Sequence, residues 1–192
     1  LMRGPFLFVA LDDLDRREGE TLRVAEQLSG VEGPFGFKLN LDCLLKRGLV
    51  VNCCTRSLLR IVQQLGRKVF ADLKMWNGTR TMRSVIEALV DSGVDYLNVY
   101  ALADDLLPGA IKAAEGSKTR ILGLTVLTHF SEAYCQRHFC RSLRETVRYF
   151  AEVALERGCH GIILPGTTLD VVQDLETIKV VPGVRPKWYQ DA

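Results

Sequence analysis

The residues best equipped for chemistry lie in the segment Phe70-Ala71-Asp72-Leu73-Lys74-Met75-Trp76-Asn77, where a carboxylate and an ammonium stand two positions apart. On an extended strand, residues i and i+2 face the same side, so Asp72 and Lys74 would be presented together. An ammonium held out of water without a partner would lose its proton. A Lys in such a place therefore calls for Asp72 beside it, and Lys38 can extend the pair into an alternating row of charge. Such a row can supply a proton donor. A solvated Asp/Lys pair at a strand end is the plainer reading of the spacing alone, because Asp-x-Lys is a weak motif.

The elements that must position these groups can be read from hydropathy. Apolar runs of strand length occur at residues 6–11, 35–39, 68–73, 96–100, 121–127, 161–164 and 178–181. Between them lie amphipathic stretches of helical length at 17–28, 57–65, 81–92, 106–114, 143–157 and 169–176, opened or closed by Gly, Asp, Ser or Thr. The strands are too apolar to alternate, as expected when both faces are covered, and the alternation of strand and helix predicts a parallel sheet built from βα units. Two arrangements satisfy that pattern: a (β/α)8 TIM barrel or a doubly wound open sheet. No Gly-x-Gly-x-x-Gly follows the first strand. Polar residues stand at the C-terminal end of nearly every strand: Asp12, Lys38, Asp72 with Lys74, Asn98, Thr125 with Thr128, and Arg185. In a barrel those ends converge on one face, which favours the barrel. Seven strands rather than eight imply that the last βα unit lies outside this chain.

Bulk properties narrow the function classes. The 192 residues are 47% hydrophobic and 25% charged, an ordinary globular composition that suits a single barrel domain over 1–192 with its C-terminal end incomplete. A net charge of +2, with basic residues dispersed, provides no footprint for nucleic acid or an anionic membrane. No apolar run approaches the roughly 20 residues that span a bilayer, and a cytoplasmic protein is expected. The six cysteines lack Cys-x-x-Cys spacing, which fits a reducing compartment. His129, Cys135, His138 and Cys140 are all capable zinc ligands, but their spacing matches no standard zinc module. Phe130, Tyr134 and Phe139 interleave with them as the core face of a helix would, so packing is the expected role.

The string Ala71-Asp72-Leu73-Lys74, with Thr81 further on, resembles the Asp-x-Lys-x-x-Asp and following Thr of the orotidine 5′-phosphate decarboxylase family. Phe8-Val9-Ala10-Leu11-Asp12 is similar to that family's opening strand, and Phe37-Lys38 to its second-strand Lys. Thr125-Val126-Leu127-Thr128 and Val181-Pro182-Gly183-Val184-Arg185-Pro186 resemble its fifth-strand and seventh-strand signatures. The matches occur in order along nearly the whole chain, which makes the set far more specific than any member. The resemblance implies metal-free and cofactor-free decarboxylation of orotidine 5′-monophosphate to uridine 5′-monophosphate, by a homodimer. It implies Asp72 beside the substrate carboxylate, Lys74 as proton donor to C6, and Asn77 at the position of the second catalytic Asp. Asp12, Lys38, Thr81, Thr128, Pro182 and Arg185 would be the substrate-binding residues, with Arg185 near the loop that closes over the phosphate.

The chain departs from the family pattern at several of these places. Asn77 retains hydrogen bonding but removes a charge. Trp76, Gly78 and Arg80 differ from the usual continuation, Tyr100 stands where a His is common, and His129 stands where a Ser often follows Thr-Val-Leu-Thr. The chain stops at Ala192, before the family's Gly-Arg phosphate site, so Lys187 or Gln190 could assume part of that role. Two alternatives stay open. One is a metal-using relative of the keto-gulonate 6-phosphate decarboxylase and hexulose phosphate synthase kind, disfavoured by the missing carboxylate at Asn77. The other is a catalytically degenerate barrel that binds a nucleotide or a partner protein.

Overall fold

The computed structural model describes residues 4–12, 20–47 and 62–189. Among them, seven parallel strands run side by side in chain order: β1 (Leu7–Ala10), β2 (Phe35–Asn40), β3 (Lys68–Met75), β4 (Tyr96–Tyr100), β5 (Arg120–Leu124), β6 (Gly161–Ile163) and β7 (Ile178–Val180). A doubly wound sheet reverses its strand order part-way across, so the unbroken order excludes it and leaves the barrel-type α/β fold. The seven strands among the described residues fit a barrel of eight βα units.

Curling of the sheet can be read from one side chain. Phe8 on β1 meets Phe70 on β3 at 5.5 Å between ring centroids and Tyr96 on β4 at 5.3 Å. In a flat sheet, strands three places apart are separated by roughly 14 Å, because neighbours lie about 4.8 Å apart. The contact therefore requires the strands to wrap around a shared interior. Phe70, Tyr96, Leu122, Leu124 and Ile163 fill that interior. The opposite faces of the same strands, including Val69, Ala71, Leu73, Leu97 and Ile162, pack against the surrounding helices. Both faces are buried, which is why these strands do not alternate in sequence.

The helices obey the 3.6-residue period. After α1 (Glu20–Ser29) and α2 (Leu41–Arg47), α3 (Thr79–Asp91) buries Met82, Ile86 and Leu89 on one stripe. Following α4 (Leu107–Ala113) and α5 (Glu132–Phe139), α6 (Leu143–Glu156) starts at a capping box in which Ser142 and Glu145 satisfy each other's backbone N–H groups. It lies so close to β5 that a Cβ on Gly123 would stand 2.4 Å from the Ala154 Cβ.

Several expected boundaries shift. The stretch 169–176 is not an α-helix: its first four residues belong to a 3-10 helix, Gly166–Val172. Strand β5 ends at Leu124, and just beyond it both the N–H and the hydroxyl of Thr125 donate to the Ile163 carbonyl, at 3.0 and 2.8 Å. Helix α2 was not anticipated, since it follows β2 without a turn signal. The first residues of 17–28, and 57–61 of 57–65, lie outside the described residues; 62–64 are helical.

Candidate active site

Four adjacent strand ends deliver one polar cluster. Lys38, on β2, points its ammonium at both carboxylate oxygens of Asp12 (3.1 and 3.0 Å), at the Asn40 carboxamide oxygen and at Asp72 Oδ2 (3.0 Å). Lys74 Nζ donates to the same Asp72 oxygen at 2.7 Å. Asp12, Lys38, Asp72 and Lys74 thus form a row of alternating sign whose formal charges sum to zero. Asp72 is the innermost member, with a side chain only 8% exposed, while Lys74 reaches the surface at 40%. Burial works to raise the Asp72 carboxyl, but the charge of Lys38, the hydrogen bond and charge of Lys74 and the Asn98 hydrogen bond outweigh it. The group is held below its ordinary range and stays ionised.

Asp72 and Lys74 meet as expected, but not through the alternation of a regular strand. Between Ala71 and Met75 strand β3 advances four residues while β4 advances two, from Leu97 to Val99. The excess is taken up at Lys74, whose φ of 47° lies in the left-handed region. That conformation costs an L-residue about 1–2 kcal/mol, and such outliers gather at functional sites. Asn98 meets the interruption: its Oδ1 accepts the Lys74 N–H at 2.8 Å, and its Nδ2 donates to Asp72 Oδ1 at 2.7 Å. The bulge re-aims the Lys74 side chain back at Asp72.

The chain and its curled parallel sheet have counterparts among known proteins. A profile of the Orotidine 5'-phosphate decarboxylase / HUMPS family matches residues 5–192. The chain belongs to that family. A curated relative, the orotidine 5'-phosphate decarboxylase of Streptococcus pneumoniae serotype 19F, is 32% identical over 127 residues, which are 64% of this chain and 54% of that protein. The chain thus spans about half the length of the curated relatives it matches. Among solved structures, an orotidine 5'-phosphate decarboxylase from Lactobacillus acidophilus superposes with a TM-score of 0.74 at 23% identity, over 94% of this chain and 82% of that one. An uncharacterized conserved protein from Geobacillus kaustophilus superposes with a TM-score of 0.73 at 22% identity, over 92% and 89%. At these identities the superpositions establish the shared barrel fold.

The remaining residues named from the family pattern are spread around the mouth. Asn77 is exposed, and its carboxamide oxygen accepts the Gly78 N–H at 2.8 Å at the start of α3 rather than joining the charged row. Thr81 is half-buried in the first turn of that helix, and Thr128 is exposed after β5. Pro182 and Arg185 are exposed in the segment after β7, where the guanidinium of Arg185 lies 5.8 Å from the Tyr189 ring centre. Lys187 is exposed in the same segment; Gln190 lies outside the described residues.

Three residues in the cluster had been given no role from sequence. Asn40 is two positions beyond Lys38, so strand alternation could have found it. Asn98 was visible only as a polar strand end. Tyr100 lines the interior near Asp72, and burial, then the charge of Asp72, push its phenol up.

The His129-to-Cys140 stretch packs only in part as a core face: Phe130 and Phe139 lie against the core, whereas Tyr134, His129, His138 and Cys140 are exposed. Phe130 stacks on Tyr134 at 4.0 Å, Tyr134 meets His138 at 4.3 Å, and Cys135 is buried. Among the described residues no group of three or more His, Cys, Asp or Glu is placed to hold a metal, and no helix is long and apolar enough to cross a membrane.

Proposed function

We propose that this chain is the catalytic barrel of an orotidine 5′-monophosphate decarboxylase, releasing carbon dioxide and uridine 5′-monophosphate without a metal ion. The observation that carries the reading is the Asp12–Lys38–Asp72–Lys74 row, with a fixed ammonium 2.7 Å from a buried, ionised carboxylate. Substrate would place its C6 carboxylate beside Asp72. When the C6–carboxylate bond breaks, carbon dioxide leaves and the bonding electron pair stays on C6. Lys74 stabilises that developing charge, which is absent from the ground state, and then transfers its Nζ proton to C6. Neutral Lys74 regains a proton from water.

By family correspondence, Asp12 and Lys38 hold the ribose hydroxyls, Thr81 and Thr128 contact substrate, and Pro182 and Arg185 belong to the segment over the phosphate. Asn77 contributes hydrogen bonding only. The exposed loop carrying Trp76, itself 56% exposed, provides the face for a homodimer. Small-molecule nucleotide chemistry of this kind belongs in the cytoplasm. The neutral side chain at Asn77 favours a second reading, a barrel that binds the nucleotide without turning it over.

The test is the loss of orotidine 5′-monophosphate absorbance with purified protein, paired with calorimetric binding of uridine 5′-monophosphate. Turnover supports the decarboxylase; binding with no turnover supports the second reading and ends the first.

A further inference from the structure

We infer that Asn98 is the positioning residue of this site, holding Lys74 in its left-handed conformation and fixing which oxygen of Asp72 each partner uses; the inference rests on the decarboxylase reading for its kinetic consequence. Asn98 sits in the middle of β4 with only 1% of its surface exposed, so both arms of its carboxamide must find partners within the protein. They find the two residues on which the chemistry depends. Oδ1 takes the Lys74 N–H, and Nδ2 donates to Asp72 Oδ1.

The arrangement divides the Asp72 carboxylate. Oδ2 accepts from both ammonium groups, Lys38 at 3.0 Å and Lys74 at 2.7 Å, while Oδ1 accepts from the neutral amide. Without the amide the carboxylate is free to rotate about its last bond, and the two ammonium groups lose a common target. Asn98 also stands where the β3–β4 register jumps, at the interruption between Leu97 and Val99. There the backbone N–H of Lys74 takes a side-chain acceptor, so the carboxamide replaces a rung of the ladder and offsets the cost of a positive φ. One planar group with an acceptor and a donor satisfies both needs. A carboxylate would keep the acceptor and set a second negative charge against Asp72, and an apolar side chain would supply neither.

The experiment compares the parent with Asn98→Leu, which keeps the branched shape and removes both hydrogen bonds, and Asn98→Asp, which keeps only the acceptor. Three readouts are taken: hydrogen exchange at the Lys74 amide, the carboxylate titration of Asp72 by carbon-13 NMR, and kcat and KM for orotidine 5′-monophosphate across pH. In Asn98→Leu, Lys74 exchange should speed at least tenfold and Asp72 should titrate higher. Its kcat should fall about 10²-fold with KM within a few-fold, the scale expected when a reacting group is displaced by about 1 Å. Asn98→Asp should keep Lys74 protected while the acid limb of the rate profile moves to higher pH.

A folded Asn98→Leu with parental exchange and titration overturns the inference. So does a loss of kcat matched by KM with no movement of the pH profile, which is what damage to packing alone would produce. If Asn98→Leu does not fold, an Asn98→Asp profile superimposable on the parent's overturns it equally. Should the parent show no turnover, the decarboxylase reading fails by itself, and exchange and titration still decide what Asn98 holds.

Discussion

Replacing Lys74 separates two properties that meet in one residue: the proton it carries and the backbone conformation it occupies. Lys74→Ala removes the ammonium that stands 2.7 Å from Asp72 Oδ2 but keeps an L-residue at φ 47°. Loss of a positioned general acid costs about 10² to 10⁴ in rate, and loss of a fixed charge at the developing carbanion about 10² to 10³. At the lower bounds the product is about 10⁴, or roughly 5 kcal/mol of transition-state stabilisation at about 1.36 kcal/mol per decade. Lys74→Gly should be as inactive. It also relieves the left-handed strain, about 1–2 kcal/mol, while glycine's freedom in the unfolded chain takes back about 0.5–1 kcal/mol. The glycine variant should therefore be more stable than the alanine variant by about 0.75 kcal/mol at the midpoints of those ranges, with the ion pair lost equally from both. The assays are loss of orotidine 5′-monophosphate absorbance and urea unfolding of the two variants side by side. Turnover of Lys74→Ala within about tenfold of the parent refutes the proton-donor role. A glycine variant no more stable than the alanine variant refutes the account of strain.

Further outcomes test other parts of the reasoning. Asn77→Asp should preserve or raise decarboxylation, since it restores a carboxylate to the segment bearing Lys74; in a barrel that has lost catalysis it should recover nothing while uridine 5′-monophosphate still binds. The protein should run as a dimer in light scattering at micromolar concentration, and a monomer there counts against the Trp76 face. His160 accepts the Ile121 N–H through Nδ1 at 3.0 Å, and burial and then the nearby Arg120 hold its pKa below 6.5. The unfolded chain therefore binds the proton more readily, so this contribution to stability is full above pH 6.5 and erodes as the pH falls below it; His160→Gln should remove that part of the slope in urea titrations. Gly123→Ala should destabilise by about 1–3 kcal/mol through overpacking against Ala154, read by the urea midpoint.

What the sequence by itself determined is the seven strands, several of the helices between them and the members of the charged row. Apolar runs of strand length alternating with amphipathic helices leave few ways to bury both faces, and all seven expected strands are present within a few residues. Asp12, Lys38, Asp72 and Lys74 were legible because a charged side chain at the end of a buried strand has no packing reason to be there. Their mutual contacts were not legible, since residues separated by 26 and 34 positions meet only when the strands are laid side by side and curled. The left-handed turn at Lys74 was hidden for a related reason. Nothing local favours a positive φ in a lysine; it is imposed by the register between β3 and β4 and stabilised by a carboxamide 24 residues away. Asn98 read as one more polar strand end until β4 was placed beside β3. Asn77 shows the reverse: its place in the motif suggested the charged row, yet the chain turns after Met75 and carries it to the surface, where it bonds its own helix start. Periodicity and residue type are properties of the chain, whereas the partners of a buried polar group are set by which strands become neighbours.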